Sequence, residues 1–462
     1  LHYYKSGTGS GGMVNVNKVT GILEALEESE DVQVYESLVD VYREWEKDHP
    51  FDEGVGWGNE PWSQEEMELN EALVEEAAEK NEYAIVILAR TAGEDKDNKM
   101  LEGAYCLTSI EEDMLQKVRK SFAKMIVLLN TGNIMDMSFM DRYRPDAVMY
   151  VWQGGMIGGL GTVDVLTGKV CPSGRLSDTI AAQMSDYPAD PYFGGLEQNL
   201  YVEDIYVGYR YFESAAKSKV LYPFGFGLSY TTFSMEAGGF SYAENQVSFV
   251  MKVTNTGSAA GKEVVQVYAK APLGKLGKPA RVLIDFKKTK ELMPGECETL
   301  TFAIPTSVFA SYNEVSTAGM PVGWVLEAGE YTIYAGGNVR DAYAVGSFTL
   351  DELQIVEECR SALAPTTAFK RMKMTAANEH AEAAGVYEVA MEEVPLRVVS
   401  PEEKRNAELP ESCEITGDRG IKLADVKAGK ATLDEFVAQL TEEELASIVR
   451  GEGMGSPKVT AG

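Results

Sequence analysis

Histidine and cysteine are scarce in this chain, and its apolar runs are short. Three histidines (His2, His49, His380) lie far apart in 462 residues, which leaves little material for histidine-based triads or metal sites. The five cysteines, Cys106, Cys171, Cys297, Cys359 and Cys413, are an odd number with no C-x-x-C pair. That argues against both a disulfide framework and a structural zinc site. No stretch approaches the roughly 18 consecutive apolar residues of a membrane span. Positive charge is the other shortage: 42 basic residues face 72 acidic ones, a formal charge of −30. Such a surface repels nucleic acid and anionic lipid, so a neutral ligand suits it better than a polyanion, although solubility alone also accounts for the acidity. Unpaired cysteines and the lack of a recognisable signal peptide favour the cytoplasm. The opening LHYYKSG carries no initiator Met, so the true N-terminus is expected to lie elsewhere.

With 45% hydrophobic and 25% charged residues, the composition is that of a globular protein, and the length allows about two to four domains. From about residue 20 to 232, helical and strand patterns alternate. VTGILEALEES is a helical run, and SQEEMELNEALVEEAAEK is another, with Ser63 as its expected N-cap and Glu66 completing a capping box. YAIVILA (83–89) is a continuous apolar run suited to a buried parallel strand. A helix starting at Ser109, the strand KMIVLLNTG, the strand AVMYVW (147–152) and a glycine-loosened helix follow. This series predicts an α/β domain whose ligands collect at the carboxyl ends of the strands. After residue 233, short alternating segments such as NQVSFVMKVTNTG and ETLTFAIP predict an antiparallel β-sandwich. Residues 351–425 read as a linker with helical stretches, ECRSALAPTTAFKRM among them. TLDEFVAQLTEEELASIVRGEGMG carries two amphipathic helices, the second with a capping box from Thr441 to Glu444.

Two loops are candidates for chemistry. In KSGTGSGGMVN (Lys5 to Asn15), Gly7, Gly9 and Gly12 satisfy G-x-G-x-x-G, but no helix opens directly on the loop as a pyrophosphate site requires. A plain surface loop is one reading. A backbone that approaches a neutral polar ligand closely, with Thr8 and Ser10 offering hydroxyls, is the other. The second loop, RTAGEDKDN, leaves the strand YAIVILA with Glu94 flanked by Arg90, Asp95 and Asp97. A carboxyl group among carboxylates can be held protonated as a general acid, whereas an exposed acidic turn is the structural alternative. Trp152 and Gln153 end a strand where they could line a site, although packing is the expected role of the tryptophan. Tyr206, Tyr209, Tyr211, Phe224 and Phe226 are expected to pack in the core or between domains rather than stack on a ligand.

ARTAGEDKDN with EGAYCLT, VLLNTGN, AVMYVWQGG, VLTGKVCPSGRLSDTI, YVEDIYVGYRYFES and LYPFGFGLSYTTF together resemble the second domain of glycoside hydrolase family three. VTNTGSAAGKEVVQVYAKAP and ELMPGECETLTFAIP resemble the fibronectin type III-like domain of its β-glucosidases. The resemblance runs in order over about residues 3–350. It implies a mostly parallel α/β sandwich domain over 1–232 and a fibronectin type III-like β-sandwich over 233–350. The 351–425 linker would follow, and 426–462 resembles the beginning of a (β/α)8 barrel, in a permuted domain order.

The resemblance also implies a retaining, exo-acting β-glucosidase acting on β-linked glucosides or oligosaccharides, with no cofactor and no metal. The family's acid/base loop follows S-G-E-G-x-D-R. Gly93, Glu94 and Asp97 fall on it, while Ala92, Asp95 and Asn98 depart from it, so Glu94 is the expected acid/base. KSGTGSGG resembles the family's K-G-G-T-G-S-G loop, which gives Ser10 a sugar contact with Lys5 and Thr8 in support; Ser6 replaces a glycine. The Ser185-Asp186 pair of MSDYPAD resembles the nucleophile stretch but lies in the wrong domain. The nucleophile Asp is expected in a barrel outside these residues, on another chain or segment. A homo-oligomer is compatible with these residues, as are two other functions: a β-xylosidase or other β-glycosidase of the family, and a non-catalytic carbohydrate-binding or scaffold fragment.

Overall fold

The computed structural model describes residues 3–7, 16–56, 58–317, 319–361, 363–397, 399–409, 412 and 414–451. They form two compact units, one of residues 1–361 with 365–397 and the other of 362–364 with 398–462.

The larger unit begins with α1 (Ile22–Glu27), α2 (Glu36–Trp45) and α3 (Glu71–Lys80), which lead into β1 (Tyr83–Arg90). Next come α4 (Ser109–Ser121), β2 (Lys124–Thr131), α5 (Phe139–Tyr143), β3 (Ala147–Tyr150) and α6 (Gly158–Leu166). β1, β2 and β3 pair in parallel, in sequence order. Their continuous apolar composition follows from coverage on both faces. Val86, Leu88, Val127 and Leu129 join one core with residues of α3 and α4, while Ile85, Ile87, Ile126 and Leu128 join another with α1 and α6. All three strands therefore deliver their carboxyl ends to one edge.

Two helix starts differ from expectation. α3 is capped by Asn70, whose side chain accepts from Ala72 N, and Ser63 lies well upstream. Residues 63–69 run without helix, and Met67 and Leu69 are buried on alternate positions in the manner of an extended chain. α4 is capped by Thr108 rather than Ser109: Thr108 Oγ1 accepts from Glu111 N, and Glu111 accepts from Thr108 N at 2.8 Å. One residue of shift brings Glu111 inward, where it meets a buried arginine.

The short pair β4 (Ile180–Ala181) and β5 (Val220–Tyr222) flanks α7 (Tyr209–Ala215) and precedes the sandwich. There β6 (Phe233–Ala243), β7 (Gln246–Asn255), β8 (Val264–Lys270), β9 (Val282–Lys288) and β10 (Cys297–Pro305) are followed by β11 (Ser311–Asn313), β12 (Gly323–Leu326), β13 (Gly329–Gly336), β14 (Tyr343–Leu350) and β15 (Gln354–Glu358). One sheet has the order β10-β7-β6, a second β14-β13-β8-β9 and a third β11-β12-β15. Alternate residues of β7 and β10 meet alternate residues of β8 and β13 in a shared core, and Phe249 stacks on Phe302 at 4.9 Å. Fold class is therefore as expected here: a mostly parallel α/β layer followed by antiparallel sheets.

Beyond β15 the chain is less of a linker than expected. β16 (Lys370–Thr375), α8 (Glu379–Ala384) and β17 (Glu388–Glu393) fold as a hairpin on the larger unit. Among the described residues of ECRSALAPTTAFKRM none is helical; Pro365 disfavours a helix there, and the last residues enter β16 instead. Met374 buries against Tyr206, whose hydroxyl accepts from Met374 N at 3.0 Å, and Met372 N donates to Val202 O. The smaller unit contains α9 (Pro401–Ala407), α10 (Leu423–Lys427), α11 (Leu433–Ala438) and α12 (Glu442–Arg450). Thr432 with Glu435, and Thr441 with Glu444, form capping boxes.

Candidate functional site

The loop after β1 is anchored before it turns. Arg90, 2% exposed, points into the core rather than beside Glu94 as expected. Its guanidinium clamps both oxygens of Glu111 at 2.6 Å and donates to the carbonyls of Ala89, Ala104 and Cys106. Both ends of the 91–107 loop are thereby tied to one buried group. Gly93 to Lys96 then forms a tight turn, with Lys96 N donating to Gly93 O at 3.2 Å. Glu94 occupies the turn's first corner and is exposed; Asp95 occupies the second with φ +62°. That left-handed conformation explains the second glycine of the S-G-E-G pattern, and Asp is among the few side chains that tolerate it. Asn98, which stands where the pattern has Arg, donates to Ile134 O at 2.7 Å and fastens the turn to the loop after β2.

The N-terminal segment reaches the same edge. Asn130, fully buried near the end of β2, accepts from Tyr4 N and donates to the carbonyls of Tyr4 and Trp152. Gly155 N donates to Lys5 O. Lys5 is half-buried, and its Nζ lies 3.4 Å from Ser6 Oγ. Gly7 then passes so close to the acidic loop that a methyl group on it would sit 2.6 Å from Ala92 O. Thr8 and Ser10 lie outside the described residues. The glycine-rich loop and the Glu94 turn therefore start from a backbone contact, and the first helix among the described residues begins at Ile22.

A cavity of about 550 Å³ opens at this edge, lined by the loops after β1, β2 and β3 and by residues 178–193. Gly93 and Asp97, on either side of Glu94, are in its wall, as are Trp152 and Gln153. Trp152 stacks on Tyr150 at 4.6 Å and has φ +57°, so it is both packed and exposed to the cavity. Tyr105, Tyr187 and Phe193 complete the aromatic lining; none was anticipated. Tyr187 donates to Thr179 O at 2.7 Å, and burial raises its pKa to about 12. Burial likewise raises the pKa of Tyr105, so both phenols stay protonated at neutral pH. The signal for Tyr105 lay in EGAYCLT, but its inward turn is set by the Arg90 anchor. Asp97, Asp178 and Asp190 face one ammonium, Lys96, in the lining, which disfavours anions and suits a neutral polar ligand.

Elsewhere, the expected packing roles are seen. Tyr206 is buried in the core, Tyr209 stacks on Phe224 at 4.5 Å, Tyr211 meets Phe212 edge-on and Phe226 lies tilted on Tyr222. Asp186 pairs with Lys219. Among the described residues no cluster of metal-ligating side chains occurs, and no helix is long and apolar enough to cross a membrane.

Fold and site together define an α/β domain with a cavity at its strand ends, joined to an antiparallel β-sandwich. Residues 2–230 match the glycosyl hydrolase family 3 C-terminal domain, and residues 263–339 match a fibronectin type III-like domain. A β-glucosidase of Ruminococcus albus is 52% identical over 462 residues, covering all of this chain and 48% of that protein. Butyrivibrio fibrisolvens β-glucosidase A is 34% identical over 97% of this chain and 60% of its own length. The crystal structure of a β-glucosidase from Paenibacillus barengoltzii superposes with a TM-score of 0.93 at 49% identity, over 99% of this chain and 50% of that one. β-Glucosidase 3B from Thermotoga neapolitana, in complex with glucose, gives 0.68 at 34% identity over 76% of this chain and 49% of that one. The chain belongs to glycoside hydrolase family 3. It spans about half the length of the relatives it matches.

Proposed function

We propose that this chain is the acid/base-bearing part of a retaining, exo-acting β-glucosidase. The observation that carries the reading is the position of Glu94, at the outer corner of a fastened turn, between two cavity-lining residues and beside the glycine-rich segment. Every relative compared above is named a β-glucosidase. The nucleophile would come from the part of those proteins that this chain does not span.

In the first step, the protonated Glu94 carboxyl donates its proton to the glycosidic oxygen while a carboxylate of the barrel attacks the anomeric carbon. The leaving alcohol departs protonated and Glu94 becomes a carboxylate. In the second step that carboxylate takes a proton from water as its oxygen attacks the anomeric carbon, freeing the barrel carboxylate and restoring the acid. Two inversions give net retention, with the two carboxyl groups about 5–5.5 Å apart in the assembled site. Glu94 is exposed on this chain, so the covering surface that desolvates it would be supplied by the barrel. Ser10 would bind a sugar hydroxyl, with Lys5 and Thr8 in support. The cysteines Cys106, Cys171, Cys297 and Cys359 are all free, which supports a reducing compartment.

The test is Glu94→Ala in the complete enzyme. Turnover of cellobiose should fall about 10²–10⁴-fold, and nitrophenyl glucoside, whose leaving group needs little protonation, should suffer less. The first sugar released, followed by NMR, should be the β-anomer. Wild-type rates on cellobiose from the Ala variant would defeat the assignment.

A further inference from the structure

The Glu94 turn is gripped from outside the sheet. Between α2 and α3 the chain makes a glycine-rich excursion, PFDEGVGWGNEPWSQ, whose described residues include 52–56 and 58–64. Gln64 closes it: the side chain accepts from Asp52 N at 2.7 Å and donates to Asp52 O at 3.1 Å. The same amide reaches the Tyr4 hydroxyl at 3.3 Å. Asp52 Oδ1 accepts from Gly54 N, and Asn59 Nδ2 donates to Val55 O at 2.6 Å. Ends that meet and side chains that tie the interior make this a compact surface loop, of the kind that often carries function.

Three of its contacts fall on the turn, one before Glu94 and two after it. Thr91 N donates to Trp62 O at 2.8 Å. Lys96 Nζ stands 5.2 Å from the centroid of the Trp62 ring, a cation–π contact. Gly58, at φ +67°, passes so close to Asp95 that a methyl group on it would sit 3.2 Å from Asp95 Cβ. Ser63 meets the returning end of the same segment, since a methyl group on Gly103 would lie 2.5 Å from Ser63 Oγ. The hydrogen bond from Lys96 N to Gly93 O fixes the shape of the turn. The direction in which the turn presents Glu94 depends on what holds Thr91, Asp95 and Lys96. Trp62 supplies two of those holds, its carbonyl on one side of Glu94 and its ring on the other. It is half-buried and belongs to none of the described hydrophobic clusters, so core packing does not account for it.

We propose that Trp62 is a positioning residue for the Glu94 carboxyl, and that the loop closed by Gln64 is the strap through which it acts. The inference rests on the acid/base reading of Glu94. A general acid must lie within hydrogen-bond reach of the oxygen it protonates, so a strap that aims the carboxyl sets the rate of that step.

The test compares cellobiose with dinitrophenyl glucoside, whose leaving group needs little protonation, in the complete enzyme. Because a displacement of about 1 Å at a reacting group can cost 10²-fold, Trp62→Leu should lower kcat/KM on cellobiose at least about tenfold. Dinitrophenyl glucoside should be affected much less. Trp62→Phe keeps an aromatic face for Lys96 and should recover most of the loss. Gln64→Leu opens the loop while leaving Trp62 in the chain, and should produce the same selective loss. In a Glu94→Ala background, Trp62→Leu should change cellobiose turnover by no more than about twofold, because it acts through the carboxyl already removed. Equal losses on both substrates from Trp62→Leu and Gln64→Leu would mark a merely structural role and overturn the proposal. So would wild-type cellobiose turnover in both. If Glu94→Ala itself turns over cellobiose at the wild-type rate, the acid/base reading fails and this inference with it. If Glu94→Ala is crippled while Trp62→Leu and Gln64→Leu are not, the strap alone fails.

Discussion

Replacing Arg90 by Met removes the group on which the acidic loop hangs. Arg90 and Glu111 are 2% and 5% exposed, so the substitution leaves a carboxylate in the interior with only the Thr108 amide to answer it. It also strips partners from the carbonyls of Ala104 and Cys106. Breaking one side of a buried pair of this kind typically costs 3–5 kcal/mol, because the surviving charge is uncompensated. For a cooperative unit of about 150–250 residues, each kcal/mol lowers the melting temperature by roughly 2–4 °C, so a drop of about 6–20 °C is expected by scanning calorimetry. The double variant Arg90→Met with Glu111→Gln neutralises the stranded charge while keeping an oxygen for the helix cap, and should recover most of the loss. Arg90→Lys should not, since one ammonium cannot span both carboxylate oxygens and two carbonyls. An Arg90→Met melt within 2 °C of wild type, on the scale of that conversion, or a double variant no better than the single, would refute the claim that this pair anchors the loop.

Gly7→Ala forces a methyl group to within 2.6 Å of the Ala92 carbonyl; because a shift of about 1 Å at a reacting group can cost 10²-fold, kcat/KM of the complete enzyme should fall at least about tenfold with little change in melting temperature. Glu66 is half-buried, accepts from Tyr42 and from Met67 N, and has its pKa raised by desolvation. The folded chain then holds that proton more tightly than the unfolded chain, so stability falls as pH rises from the ordinary carboxylate range through the raised value. Glu66→Gln should consequently match wild type near about pH 4 and melt higher than wild type at neutral pH, in a pH series of thermal melts. At Asp95, Gly should be nearly neutral and Ala should cost about 1–2 kcal/mol, the usual penalty for a left-handed residue without a local hydrogen-bonding side chain, measured by urea unfolding.

Patterns that depend on one element were readable from the residues. YAIVILA and MIVLL are continuous apolar runs because both sheet faces are covered, and parallel strands follow. The alternation in β7 and β10 likewise shows one face buried. What escaped reading depends on partners distant along the chain. Thr108 and Ser109 are both good caps, and only the burial of Glu111 against Arg90 decides between them. Arg90 looked like part of an exposed charged loop, whereas its partner is a helical glutamate on the far side of that loop. Met372 and Met374 alternate within KRMKMT, but the flanking lysines and arginine conceal a strand whose inner face is recruited by Tyr206. Trp152 and Gln153 could be named from their strand end as cavity-lining candidates, while Tyr105 could not, because its inward placement exists only once the tertiary fold has surrounded it.

Asn130 offers Tyr4 a carbonyl and an NH₂ from a side chain, imitating a peptide unit in miniature. To the N-terminal segment it behaves as a fourth strand reduced to a single rung. A ladder would lock that segment to the sheet's twist; here a side chain of β2 and a loop amide hold it instead. Its next hold, Lys5 O on Gly155 N, also lies outside the strand pairing, so the docking of residues 3–7 can be retuned at Asn130 and Gly155 while the three-stranded scaffold stays as it is.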